Sequence, residues 1–170
     1  MRRIHYHVAC SLDGYIATAD GGYDWIPADP DIDFAAIFAQ FDVLLMGRKT
    51  YDLVRQSGDT FGKKIVVLSS SLRPEAHPDV TVLSGDVRGP IEALKREDGK
   101  DIWLFGGGET FRLLLGLGLV NGIELAVVPI LLGGGIPFLP APAPRATLTL
   151  KGQRVYPRSG IVMLDYDVRG

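Results

Sequence analysis

The chain has 170 residues, 46% of them hydrophobic, enough for one core of ordinary size, and a single domain over residues 1–170 is expected. Eighteen basic against twenty acidic residues leave a net charge of −2, which argues against broad electrostatic nucleic-acid binding and against an acidic disordered tail. A single cysteine, Cys10, excludes an internal disulfide and any multi-cysteine metal site, and three scattered histidines offer no metal cluster.

Residues 4–9 read as a strand ending in the turn Ser11-Leu12-Asp13-Gly14. Residues 11–33 then read as a long loop carrying Asp13, Asp20, Asp24, Asp29, Asp31 and Asp33. Loops of that length in compact domains are usually functional or mobile. Phe34, Ile37, Phe38 and Phe41 fall at i, i+3, i+4 and i+7, the apolar stripe of a helix. Residues 42–46 form a short apolar run stopped by Gly47, residues 65–68 one stopped by three serines, residues 80–83 a third, and residues 102–105 one stopped by Gly106-Gly107-Gly108. Short runs bounded by turn residues predict strands covered on both faces, as in a parallel sheet. Gly89-Pro90 before Ile91 and Leu94 predicts a helix with proline at its first position, and residues 109–115 predict a helix opening off the triple glycine. This alternation is that of a parallel α/β protein.

The last third changes character. Residues 123–132 read as a long strand, with Pro129 marking an edge or a bulge. Pro137, Pro140, Pro142 and Pro144 mark an irregular loop. Residues 147–155 and 161–168 predict an antiparallel pair joined at Pro157-Arg158-Ser159-Gly160, with Asp165 and Asp167 placing one wet face. No stretch reads as a signal peptide or a membrane span, because polar residues, glycines and Pro129 interrupt every apolar run. A cytoplasmic protein with no membrane partner is expected.

Three turns carry candidate chemistry. Phe105-Gly106-Gly107-Gly108-Glu109-Thr110 follows a strand and opens a helix, whose free N–H groups and partial positive charge suit a phosphate. Glycine lets the backbone come close to a pyrophosphate, although the spacing is not that of the Rossmann fingerprint and a tight packing turn has the same look. Met46-Gly47-Arg48-Lys49-Thr50-Tyr51 sets two cations where a helix begins, a conflict with the helix dipole that a bound anion would remove; the other reading is a solvated basic turn. Leu68-Ser69-Ser70-Ser71-Leu72-Arg73 offers hydroxyls and a guanidinium to a phosphate or ribose, or is a plain turn. All three sit at carboxyl ends of predicted parallel strands, where open α/β sheets place ligands. In the long loop, Tyr23 and Trp25 suit a planar ligand, and Asp29 or Asp31 is either a proton donor or a helix cap. His5 and His7 share a strand face as a packed pair, and Cys10, Met46, Trp103 and Phe111 read as core.

Taken in order, Ser11-Leu12-Asp13-Gly14-Tyr15-Ile16-Ala17, Met46-Gly47-Arg48-Lys49-Thr50-Tyr51, Ser69-Ser70 and Gly106-Gly107-Gly108-Glu109 resemble the dihydrofolate reductase-like superfamily. Gly118-Leu119-Val120-Asn121-Gly122-Ile123-Glu124-Leu125 followed by Pro129-Ile130-Leu131-Leu132-Gly133 resembles its riboflavin-biosynthesis branch, the RibD C-terminal domain family. The resemblance implies an α/β fold with a mainly parallel eight-stranded sheet, flanking helices and an antiparallel C-terminal pair. It also implies NADPH as cofactor, no metal, and a homodimer. By the same resemblance Gly47, Arg48, Lys49 and Thr50 meet the cofactor's phosphates, and Leu68, Ser69 and Ser70 lie near its 2′-phosphate or ribose. Phe105, Gly106, Gly107, Gly108, Glu109 and Thr110 wrap its pyrophosphate, and Ala17 opens the loop over the nicotinamide. Asp13, Trp25 and Tyr51 face the substrate. The local motif Pro27-Ala28-Asp29 favours Asp29 as the acid, whereas counting back from Met46-Gly47 favours Asp31. The implied function is NADPH-dependent reduction of a small heteroaromatic substrate, pteridine-like or a riboflavin precursor such as 5-amino-6-(5-phosphoribosylamino)uracil. A non-catalytic NADP(H)- or ligand-binding protein on the same fold is the alternative.

Overall fold

The computed structural model describes residues 1–58 and 60–169. In chain order its elements are β1 (Ile4–Ser11), β2 (Tyr15–Ala17), α1 (Phe34–Ala39), β3 (Phe41–Gly47), α2 (Arg48–Ser57), β4 (Lys64–Leu68), β5 (Thr81–Leu83), α3 (Arg88–Arg96), β6 (Asp101–Gly106), α4 (Gly108–Gly116), β7 (Gly122–Val128), β8 (Ile136–Pro137), β9 (Leu148–Tyr156) and β10 (Ile161–Val168). Eight strands form one sheet in the order β5-β4-β3-β6-β1-β7-β10-β9. Neighbours from β5 to β7 are parallel, and β10 and β9 close the sheet antiparallel.

Successive strand residues point to opposite faces, and each face takes its own helices. On one side Ile4, Tyr6, Leu45 and Leu104 pack with α3 through Ile91 and Leu94, and with α4 through Phe111 and Leu114. On the other, Leu44, Met46, Val67 and Trp103 pack with α2 through Tyr51 and Val54, and with Ile37 and Phe38 of α1. The short apolar runs are thus the doubly covered middle of the sheet, as their composition predicts.

Several boundaries differ from expectation. The stripe ending in Phe41 is not one helix: α1 stops at Ala39, Gln40 caps it, and Phe41 opens β3 opposite Asp101. A helical period and an adjoining strand residue coincide there. Helix α3 begins two residues before Pro90, which still lies in the first turn, where its missing N–H is not needed. Strand β7 ends at Val128, and it is internal, between β1 and β10. Pro129 therefore stops the strand and does not mark a sheet edge. The small β2–β8 pair was not expected, because three and two residues carry no readable period.

Candidate functional site

Strands β3 and β6 are neighbours, yet the helix after β3 covers one face of the sheet and the helix after β6 covers the other. That divergence opens a crevice beyond the carboxyl ends of the two strands, the topological switch point of an open α/β sheet. The register lines the turns up there: Met46 pairs with Gly106, and Gly47 with Leu68. A β-carbon on Gly47 would lie 2.5 Å from Thr110 Oγ1, and one on Gly106 or Gly107 would lie 3.5 or 3.7 Å from Thr50 Oγ1. The two glycine turns therefore face each other across one crevice. Gly47 and Gly107 are the N-caps of α2 and α4, and among the described residues neither helix start receives a side-chain cap. The first-turn N–H groups of both helices have the positive ends of the two dipoles behind them, an arrangement that suits an anion.

The rim is built from the expected segments, with differences in detail. Thr110 is buried and Thr50 half-buried, with the hydroxyls toward the opposite turn. Arg48 is turned along its own helix onto Asp52, Nε to Oδ2 2.9 Å. Lys49 and Arg73 are exposed and join none of the ion pairs found among the described residues. The Ser69 hydroxyl accepts the N–H groups of Ser71 and Leu72, which makes it a turn-former, while Ser70 is exposed beside it. Phe105 packs on Trp103 below the turn, and Glu109 pairs with Arg112 on the outside of α4. The β2–β8 pair leans on the start of α4. A β-carbon on Gly108 would meet the Pro137 carbonyl at 2.5 Å, and one on Gly135 would meet that of Ala17 at 2.2 Å. Ala17 is thereby tied to the crevice wall.

Each of the expected acids and substrate residues has a partner within the fold. Asp29 is buried and accepts from the Ser159 hydroxyl at 2.5 Å, the Ser159 N–H at 3.2 Å and the Asp31 N–H at 2.9 Å. The Ser159 hydroxyl and these amides hold its carboxyl below the usual range, so it stays ionised and anchors the loop to the β9–β10 turn. A proton donor needs the opposite shift. Asp31 is exposed, 3.4 Å from Arg158. The helix cap is neither of these but Asp33, which accepts from the Ala36 N–H. Asp13 is a loop pin: it accepts the Ser11 hydroxyl and the N–H groups of Leu132 and Gly133. Tyr51 lies inside the second core cluster with its hydroxyl 3.0 Å from His77 Nδ1, so it is a packing residue. Trp25 packs against the cluster formed by Ile32, Ala126, Val128, Tyr156 and Ile161, with its indole N–H donated to the Gly22 carbonyl. Replacement of Asp29 by Asn puts an amide against the Ser159 donors. The variant is expected to melt about 4 °C lower with unchanged NADPH affinity, measured by thermal unfolding and by titration.

The carboxylate partner of the His5–His7 pair was passed over in the sequence. His5 and His7 share the sheet face that also carries Glu124 of β7. Glu124 sits 3.2 Å from His5 Nδ1 and 2.9 Å from His7 Nδ1, while His5 Nε2 lies 3.3 Å from Asp101. A glutamate inside an otherwise apolar strand was the available signal. Among the described residues no group of three or more ligating side chains is arranged to hold a metal ion. Burial raises the Glu124 carboxyl, but the two imidazoles outweigh it and hold it at about 2. The folded value lies below the unfolded one, so this stabilisation is complete above pH 5 and is lost as the pH falls toward 2. Unfolding free energy is expected to drop by about 3 kcal/mol over that interval from this group, and Glu124→Gln to remove that part of the slope, as read by urea unfolding.

Comparison with known proteins gives one consistent answer. The RibD C-terminal domain model matches residues 2–162. The uncharacterized protein YyaP of Bacillus subtilis is 32% identical, over 99% of this chain and 96% of that one. A putative riboflavin biosynthesis protein from Shewanella sp. PV-4 superposes with a TM-score of 0.85 at 28% identity, covering 100% of both chains. Dihydrofolate reductase from Enterococcus faecalis, solved with NADP(H), gives 0.71 at 14% identity over 99% of this chain and 97% of that one, a likeness of fold.

Proposed function

The chain belongs to the RibD C-terminal domain family, and from that premise we propose that it is an NADPH-dependent reductase of a small heteroaromatic substrate, pteridine-like or a riboflavin precursor. The observation that carries this reading is the meeting of the Gly47 and Gly106–Gly107 turns in one crevice, where a β-carbon on either side would fill the space. A dinucleotide pyrophosphate fits such a cradle, because unpaired N–H groups from two helix starts can reach it together. The N–H groups of residues 48–50 and 108–110 bind it, Thr50 and Thr110 add hydroxyls, and Lys49, Ser70 and Arg73 suit the extra 2′-phosphate. Bound NADPH supplies the two reducing electrons. The chain orients the substrate near Trp25 and excludes water with the β2–β8 flap. Neither Asp29 nor Asp31 is assigned the proton, which comes from solvent. The protein acts as a homodimer in the cytoplasm, where its one cysteine stays reduced.

NADPH titration tests this directly. Trp103 lies below the Phe105 turn, so saturating NADPH is expected to quench tryptophan fluorescence and to raise the melting temperature. Excess over Kd of a hundredfold stabilises by about 2.7 kcal/mol. No change at millimolar NADPH overturns the reading. One observation favours a second reading, a non-catalytic NADP(H)-binding protein: both candidate acids are engaged in holding loops or ion pairs. Tight NADPH binding with no oxidation across pteridines and riboflavin precursors selects it.

A further inference from the structure

Between α3 and the turn that leads into β7 lies a cavity of about 310 Å³. Arg88, Glu92, Lys95 and Arg96 line its α3 side, and Gly118 and Leu119 the other. Arg96 shortly precedes β6 and Leu119 shortly precedes β7, so the cavity reaches the amino ends of the strands. The crevice between the glycine turns is at the opposite, carboxyl ends. Charge around the cavity is unequal. Arg88, Glu92 and Arg96 stand at i, i+4 and i+8, one stripe of α3. Both guanidiniums share the single Glu92 carboxylate, at 3.6 and 3.5 Å, and their side chains stay 49% and 64% exposed. Lys95 is only 7% exposed. Its ammonium donates to the Leu119 carbonyl at 3.2 Å and to Asn121 Oδ1 at 2.9 Å, and both acceptors are neutral. Asn121 Oδ1 is also shared with the Ile4 N–H, 3.0 Å away. An ammonium has three N–H groups and a full charge to compensate, yet Lys95 joins none of the ion pairs found among the described residues. Burial accordingly holds its amine below the ordinary lysine range, with Glu92 opposing that shift and Arg3 adding to it. Three cations thus face one carboxylate, and one of the three is desolvated without a counter-charge in contact.

We propose that this cavity binds a phosphate group, free or carried by a small molecule, between Lys95 and the guanidiniums of Arg88 and Arg96. The charge matches: a phosphate monoester carries about −1.5 to −2 at neutral pH, close to the excess of three cations over one carboxylate. The shape matches as well. A phosphate presents oxygens in tetrahedral directions, so one can meet the ammonium on the cavity wall while others take the planar forks of the two arginines. The bound anion gives the buried ammonium the counter-charge it lacks, in a setting where such a contact is stronger than in water. At about 30 Å³ per water the cavity has the volume of roughly ten waters, enough for the group and a short substituent. The Gly118 side stands open, with nothing within 4 Å of where a β-carbon would lie. The site needs neither the cofactor nor the reaction proposed above.

The test follows the backbone amide resonances of the full chain while inorganic phosphate, and separately glycerol 3-phosphate, is added at constant ionic strength. The signals of Arg96, Gly118 and Leu119 are expected to move and saturate, with half-saturation on the order of 1 mM, as a few charge-assisted bonds to a small anion allow. Arg88→Ala with Arg96→Ala is expected to weaken binding at least about tenfold. Both side chains are exposed, so the fold is kept. Glu92→Gln removes the one opposing charge and is expected to tighten binding about threefold or more, a gain that a merely structural ion-pair stripe does not give. Tighter binding of the ester assigns the site to a phosphorylated small molecule, and equal binding assigns it to phosphate itself. Signals that stay still at 50-fold the expected midpoint (about 50 mM), or that move equally in the arginine double variant, overturn the proposal. The amides of Gly47 and Gly107 report the crevice separately, so this result and the NADPH reading fail independently.

Discussion

A Gly106→Val chain is expected to bind NADPH at least about a hundredfold more weakly, a loss of roughly 2.7 kcal/mol. Two independent effects act at that position. Gly106 has φ +146°, a conformation that a β-branched residue adopts only with strain of about 1–3 kcal/mol. Its β-carbon would also point at Thr50 Oγ1, 3.5 Å away, into the space assigned to the pyrophosphate. Gly47→Ala separates the two effects. Its φ of −82° suits any residue, so only the approach to Thr110 Oγ1 at 2.5 Å remains. That substitution is expected to cost less affinity and to leave folding nearly intact. Thr110→Ala should recover part of the loss, a coupling that a double-mutant cycle measures. Equal affinity in all these variants would show that the crevice does not hold the cofactor. Fluorescence titration gives the affinities, and melting curves distinguish lost binding from lost fold.

Phe111→Ala is expected to lower stability by about 4 kcal/mol and the melting temperature by roughly 10 °C. Phe111 is 1% exposed in the first turns of α4, and its ring lies 4.2 Å from Tyr6 and 5.2 Å from Phe138. Tyr6 stacks on Phe138 in turn, so three rings lock β1, α4 and the segment after β8 together. The surrounding sheet is rigid, and a cavity left among these rings cannot close. The Tyr6 hydroxyl, buried without a hydrogen-bond partner among the described residues, gains none from the change. Phe111 also steadies the helix start behind Gly107, so NADPH affinity should fall along with stability. Thermal and urea unfolding check the first effect and titration the second. A loss below about 1 kcal/mol would mean that the three-ring packing is not what holds α4 to the sheet.

The amino-acid order alone dictated the local features. Short apolar runs ended by glycine or serine became parallel strands, and the glycines at 47 and 106–108 became the turns between strand and helix. The dihedral freedom of glycine and the strand period are properties of a few adjacent residues, so they survive in the chain written as a line. Even there the stripe through Phe41 misled, because a helix and the next strand can share one spacing. The roles of side chains were a different matter. Asp29 looked like an acid beside its helix until the fold brought it Ser159, 130 positions away. Asp13, Tyr51 and Arg48 were likewise claimed by Gly133, His77 and Asp52. Of these three partners only Asp52 is near in sequence, and a salt bridge at i,i+4 competes with any ligand for the same guanidinium. His5, His7 and Glu124 became one cluster only when β1 and β7 paired. Backbone conformation is fixed by near neighbours, whereas the charge state, hydrogen bonds and exposure of a side chain depend on whichever distant residues the strand order sets against it.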